Sequence, residues 1–292
     1  MKTRTTKSLT RHTVAIATSL IIFAAPVFAQ GNKPIRTDSK ILYHDGPVMQ
    51  NGSNIYVIWY GNWILSIAPS VVTDFVVNLG SSPYFKINID YRDLNGGGPN
   101  GVLIYSGTAN DAYSKGNELS ALDIQSIVRD QLSAGRFPLD GTGIYVVLGS
   151  ADVSSNATGF CQLYAHSPHH GMFVYQETQI KYAFIGNPAR CPSVEAPQLS
   201  SPTPNGDFGS DGIVNNLAAV ISVMVTNPTG SSWFDRYGLE NSTKCQGSFG
   251  TTYTSPNGAP ANVHLGTRDY LLQQNWVNST RKGYCALAAP TP

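Results

Sequence analysis

The densest group of side chains suited to proton transfer or metal ligation is His166, His169 and His170, inside the stretch CQLYAHSPHHG at 161–171. A metal ion there needs a further ligand supplied by folding, and Asp235 and Glu240 are the carboxylates in view. Adjacent residues of an extended chain point to opposite sides, so His169 and His170 do not both reach one ion. His170, Asp235 and Glu240 are therefore candidate ligand-binding residues, without a metal. Asp93, Asp152, Asp207 and Glu240 are available for the paired carboxylates of glycoside hydrolysis, but their separation of about 5–9 Å is a property of the fold. No Gly-x-Ser-x-Gly elbow is present. Asn205-Gly-Asp207 and Asp211-Gly212 lack the alternating carboxylates and closing Glu of a calcium loop, and read as turn and helix-capping residues. No catalytic residue, metal ligand or cofactor follows from these patterns. Trp63 and Trp233, both close to turns, are candidates for stacking on a sugar face, whereas Trp59 and Tyr60 sit in a run that reads as interior.

Cys161, Cys191, Cys245 and Cys285 show no Cys-x-x-Cys spacing, which argues against zinc and for two disulfides. Four cysteines allow three connectivities. Pairing of neighbours along the chain, Cys161 with Cys191 and Cys245 with Cys285, is the expected one. Disulfides require an oxidising compartment, and the N-terminus supplies a route to it. Lys2, Arg4, Lys7 and Arg11 precede the apolar run Val14–Ala25, and Val27-Phe28-Ala29 forms an Ala-x-Ala-like cleavage site. Residues 1–29 thus read as a signal peptide, too short in its apolar part for a membrane anchor. Cleavage removes four of 19 cations and no acids, leaving 15 against 18 and a net charge of −3 over 263 residues. Such a chain has no electrostatic attraction to nucleic acid or anionic lipid. Asn51, Asn156, Asn241 and Asn278 head glycosylation sequons.

The elements that must position these side chains follow an α/β order. NIYVIWY at 54–60 suits a strand covered on both faces. A helix follows from Pro69 to Gly80, then strands over Tyr84–Tyr91 and Val102–Tyr105 around the turn Asn95-Gly-Gly-Gly-Pro99. Ser120 and Asp123 open a second helix, with Leu122, Ile127, Val128 and Leu132 expected on its buried side. Gly143–Leu148 is another doubly apolar strand, and Met172–Ile185 a hairpin. Five prolines make 188–205 an extended loop. The segment NNLAAVISVMVTNP, 215–228, is apolar all round and ends at Pro228, so it is a helix enclosed by other layers. The expected architecture is a single α/β domain, its mixed sheet covered by helices, and disulfide-bonded.

YHDGPV (43–48), NIYVIWYGNW (54–63), SSPYFKI (81–87), IYVVLGSADV (144–153), GFC (159–161), PNGDFGSDGIVNNLA (204–218), VTNP (225–228) and GTRDYLL (266–272) occur in this order. Together they resemble the EXORDIUM family, also called phosphate-induced proteins. The matching domain runs over 43–285, behind an N-terminal extension at 30–42 and before a tail at 286–292. The resemblance implies a secreted, extracellular or cell-wall protein linked to cell expansion and growth, without established catalysis, whose partner is a cell-wall polysaccharide or an extracellular protein. The short Ala-rich export signal leans toward a bacterial member of the family. After GFC the chain lacks a second cysteine found in plant members, which leaves their disulfide pattern unsupported at that point.

A fainter resemblance concerns the apolar helix. Ala218 to Pro228, followed by Ser232-Trp-Phe-Asp235, Gly238-Leu-Glu240 and Cys245, has the frame of a zincin-like metallopeptidase. Ala219 and Val223 stand where its zinc ligands belong, and Val220 where its general base belongs. A zincin-like scaffold of this kind is expected to be non-catalytic, and the alternative reading is a secreted hydrolase, either a degenerate zincin-like metallopeptidase or a carboxylate-based glycosidase. The face holding these three residues is expected to be packed shut.

Overall fold

Runs of β-branched and aromatic residues form the central strands because both sides of each strand find apolar partners. After a two-residue strand, Leu42–Tyr43 (β1), the chain enters Ser53–Tyr60 (β2), helix Ala68–Leu79 (α1), strand Leu103–Asp111 (β3), helix Ala121–Ser133 (α2) and strand Gly143–Gly149 (β4). The hairpin His169–Tyr175 (β5) and Thr178–Ile185 (β6) follows, then the short helix Pro192–Glu195 (α3), the long helix Phe208–Thr226 (α4) and Trp233–Phe234 (β7). The computed structural model describes residues 40–155, 158–162, 169–278 and 282–290. The expected signal peptide, most of the N-terminal extension, His166, Asn156 and the last two residues lie outside them.

The five-stranded sheet has the order β3-β2-β4-β6-β5. β2, β3, β4 and β6 run parallel, and β5 is antiparallel to β6. Side chains alternate between its faces along β2, β4 and β6. Ile55, Val57 and Trp59 of β2, Ile144, Val146 and Leu148 of β4, and Ala183 and Ile185 of β6 join α1 and α4 in one core. Tyr56, Ile58, Tyr60, Tyr145, Val147, Ile180, Tyr182 and Phe184 join α2 in the other. The fold is therefore α/β, a mixed sheet covered on both faces, and it carries the disulfides Cys161–Cys191 and Cys245–Cys285.

α4 is buried from Gly209 to Thr226. It packs on β4, β5 and β6 on one side, on α1 beside it, and on the 3-10 turn Phe85–Asp90 and the strand Arg268–Tyr270 beyond. Three layers enclose it, so it has no polar side. It is long and apolar enough to cross a membrane by composition, yet here it is a core helix. Asp207 caps its start by accepting from Ser210 N at 2.7 Å. Its end comes where Asn227 N closes on Val223 O at 2.7 Å and Pro228 follows without an N–H to offer. Its one central hydroxyl, Ser222, sits among buried side-chain amides. Ser222 Oγ accepts from Asn88 Nδ2 at 3.4 Å and Asn275 Nδ2 at 3.0 Å, and its carbonyl accepts from Asn241 Nδ2 at 3.3 Å.

Several local expectations are corrected. Tyr84–Tyr91 is no strand, because Ser82 Oγ accepts from Phe85 N (3.1 Å) and starts the 3-10 turn. Leu122 is 71% exposed, since it lies about 200° around the helix from Ile124, which takes the buried place. The proline-rich loop includes a 3-10 turn at Pro188–Arg190 and α3. The Asn241 sequon is sealed in the fold, its side chain donating to Asn88 Oδ1 at 2.7 Å with no exposed surface.

Candidate functional site

In sheets of this kind the usual ligand crevice lies at the carboxyl ends of the strands, where neighbouring connections leave in opposite directions. Here that point falls between β2 and β4, and it is closed. Asn62 N donates to Ser150 Oγ at 3.0 Å, and Ser150 N donates to Tyr60 O at 2.9 Å. Gly61 approaches so closely that a Cβ there would meet Ser150 Oγ at 2.0 Å.

The open site lies instead between the β5 edge and α4. It is a pocket of about 170 Å³ lined by His169, His170, Val220, Val223, Glu240, Ser242 and Thr243. β5 positions the histidines as neighbours on an extended strand, so their rings leave opposite faces. His169 sits by the Tyr182 ring at 6.0 Å between centroids, and its buried Nε2 has no hydrogen-bond partner among the described residues. Burial, reinforced by His170, pushes the His169 pKa down, so its ring stays neutral. His170 pairs with Ala183 in the register and thus shares the α4 face of the sheet. Its Nε2 stands 3.5 Å from Glu240 Oε2.

Glu240 is held by the end of α4. Asn227 Nδ2 donates to Glu240 Oε1 at 2.6 Å, while Asn227 Oδ1 accepts from Ser232 N at 2.6 Å. Thr243 Oγ1 accepts from Glu240 N at 2.8 Å, so the backbone of this loop is fixed too. The helix stop Thr226-Asn227-Pro228 is thereby also the clamp that aims the carboxylate. Oε2 remains facing His170 across an apolar floor of Val220 and Val223. The helix face of Ala219, Val220 and Val223 is buried as expected, at 7%, 0% and 3% exposure, and Val220 and Val223 lie beneath the pocket.

Of the residues expected to bind ligand, His170 and Glu240 meet in this pocket. Asp235 does not line it. Its carboxylate has no exposed surface and contacts Lys244 Nζ at 2.8 Å, while Oδ1 accepts from Tyr237 N (2.8 Å) and Leu239 N (3.0 Å). Trp233 is half-buried between Tyr43 (5.4 Å) and Tyr91 (5.3 Å), with Nε1 donating to Arg92 O at 3.2 Å. Trp63 lies edge-on to Trp59 at 5.0 Å and donates to Tyr60 O at 3.1 Å. Both rings are held by packing, away from the pocket. Sequence reasoning missed Asn227, Ser242 and Thr243 as parts of the site, and only the abrupt helix stop at Asn227 signalled one of them. Among the described residues, no group of three or more His, Cys, Asp or Glu side chains is arranged to hold a metal ion.

The architecture is that of a disulfide-bonded α/β protein with a small pocket at a sheet edge. Residues 41–282 match the sequence model described as the phosphate-induced protein 1 conserved region, and the chain belongs to this family. It is 29% identical to Protein EXORDIUM-like 3 of Arabidopsis thaliana, over 84% of this chain and 82% of that protein. Protein EXORDIUM of the same plant is 26% identical over 71% of this chain and 73% of its own length. Protein PHOSPHATE-INDUCED 1 of Nicotiana tabacum is 26% identical over 70% and 71% respectively. No solved structure matches. Neither these plant relatives nor the family match supports the zincin-like frame or the bacterial type.

Proposed function

We propose that this protein is exported through its residues 1–29 and acts outside the cell by binding a polysaccharide, one sugar unit of which enters the His170–Glu240 pocket. Two disulfides fit an oxidising compartment, and the short Ala-rich leader fits a bacterial member of the family. A tie to growth and cell expansion rests on family membership alone.

The observation that carries the reading is the pairing of Glu240 Oε2 with His170 Nε2 at 3.5 Å above Val220 and Val223. A sugar hydroxyl donates to the carboxylate and accepts from the imidazole. At about 170 Å³ the pocket is smaller than the roughly 300–1,000 Å³ of ordinary small-molecule sites, so it takes one unit of a larger ligand. Binding is favoured over glycoside hydrolysis because Glu240 is the single carboxylate among the described residues that line the pocket, and hydrolysis of that type needs two.

Native gel electrophoresis through a panel of neutral polysaccharides tests this. Retardation by one of them is expected, and Glu240→Gln or His170→Ala should weaken it about tenfold or more, the scale of one hydrogen bond to a charged group. The Trp63→Ala and Trp233→Ala variants should be retarded like the parent. Retardation that survives both pocket substitutions would reject this site.

A further inference from the structure

Lys181 of β6 takes no part in the reading above. It is 9% exposed, and its Nζ donates to the carbonyl oxygens of Gly141 and Gln179, both neutral acceptors. The charged group acting on it is Asp140, whose oxygens are already occupied. Asp140 Oδ1 accepts from Thr142 N (2.8 Å) and Oγ1 (2.7 Å), and Oδ2 accepts from Asn54 Nδ2 (2.7 Å) and Tyr56 OH (3.1 Å). An ammonium has three donors, so one N–H of Lys181 has no acceptor among the described residues. Buried cations in folded proteins are almost always ion-paired. Burial accordingly pushes the Lys181 pKa down, with Asp140 opposing.

Around this side chain lies a second cavity, of about 250 Å³, at the amino ends of β2, β4 and β6. Asn51, Thr142 and Gln179 give it a polar wall, and Pro47, Met49 and Pro228 an apolar one. We propose that this cavity binds a carboxylate, seated on Lys181 Nζ with its carbon skeleton against Pro47, Met49 and Pro228. A single negative charge matches the single cation among the described residues of the lining. A phosphate dianion would bring a second charge toward Asp140 with no second cation to meet it.

The register adds a spatial relation to the first pocket. Lys181 lies opposite Met172 and His170 opposite Ala183, so Lys181 and His170 are diagonal neighbours on one face. Their Cβ atoms are about 7–8 Å apart. A carboxylate at Lys181 therefore belongs either to a free small acid or to an acidic sugar next in line to a unit held by His170. The carboxylate assignment does not depend on the polysaccharide reading.

Calorimetric titration of the mature protein with glucuronate, against uncharged glucose, tests the assignment. Glucuronate should bind at least tenfold more tightly than glucose, and Lys181→Met should abolish that difference. The Met variant replaces an unpaired buried ammonium with an apolar side chain of similar length, so its unfolding midpoint should not fall. Equal binding of the two sugars, or glucuronate binding unchanged in Lys181→Met, would overturn the proposal. Gln179→Glu is the second arm, because it puts a negative charge at the mouth of the cavity. It should weaken glucuronate several-fold, and no effect would equally count against the site. A glucuronate trimer separates the two sources. Tighter binding than the monomer, lost in His170→Ala, assigns the carboxylate to a polymer, whereas no gain assigns it to a free acid. Either result upholds Lys181 as its seat.

Discussion

Asp235 and Lys244 form an ion pair at 2.8 Å with no exposed side-chain surface on either partner. Lys244 Nζ also lies over the Trp276 ring at 4.7 Å. Charges taken this far from water are tolerable only while both remain, because each loses its hydration and recovers it from the other. Asp235→Ala should therefore lower unfolding stability by about 3–5 kcal/mol in a urea titration, because it removes the carboxylate that faces a buried ammonium. A loss below about 1 kcal/mol would mean that water reaches the pair. From the sequence, Asp235 and Glu240 were equivalent carboxylates five positions apart. Burial separates them: one neutralises a lysine and the other is aimed into a pocket. That difference depends on Lys244 and Asn227, neither of which announces its partner along the chain.

At the scale of elements, α4 was the most legible part. Asp207 before it and Pro228 after it are local signals, and both act as such. Asp207→Ala should cost about 1 kcal/mol, since Ser210 N (2.7 Å) loses its acceptor at the end of a buried helix. Asp207→Asn should recover most of this, and thermal unfolding of the two variants makes the comparison. The capping box of α2 was equally readable, with Asp123 N donating to Ser120 Oγ at 3.2 Å and Ser120 N donating to Asp123 Oδ2 at 2.9 Å. The 85–90 turn was not. Its alternating apolar residues fit a strand, and the turn that Ser82 starts is held in place by Asn88, which bonds to Ser222 and Asn241 from distant parts of the chain.

For the molecule as a whole, the two disulfides close segments 30 and 40 residues apart in sequence. Chain-entropy arguments give each about 3–4 kcal/mol of stabilisation, through restriction of the unfolded chain. Cys245 also adjoins the Thr243 turn whose hydroxyl fixes the Glu240 backbone. Replacing Cys245 and Cys285 by Ala should thus lower stability by about that amount and weaken binding in the first pocket. Replacing Cys161 and Cys191 should affect stability alone. Equal loss of binding in both double variants, measured well below their unfolding midpoints, would show that the second bridge has no special hold on the site.

The amino-acid order alone determined the α/β class, the doubly covered strands, the helix ends and the family, because these follow from periodicity, capping chemistry and ordered motifs over short stretches. His170 and Glu240 were visible as reactive types but not as a pair. Their meeting, the retirement of Asp235 into an ion pair, the packing of Trp63 and Trp233, and the unpaired Lys181 were decided by tertiary structure. Each depends on which groups share a low-dielectric space after the chain closes on itself, and that is set by contacts between residues far apart in sequence.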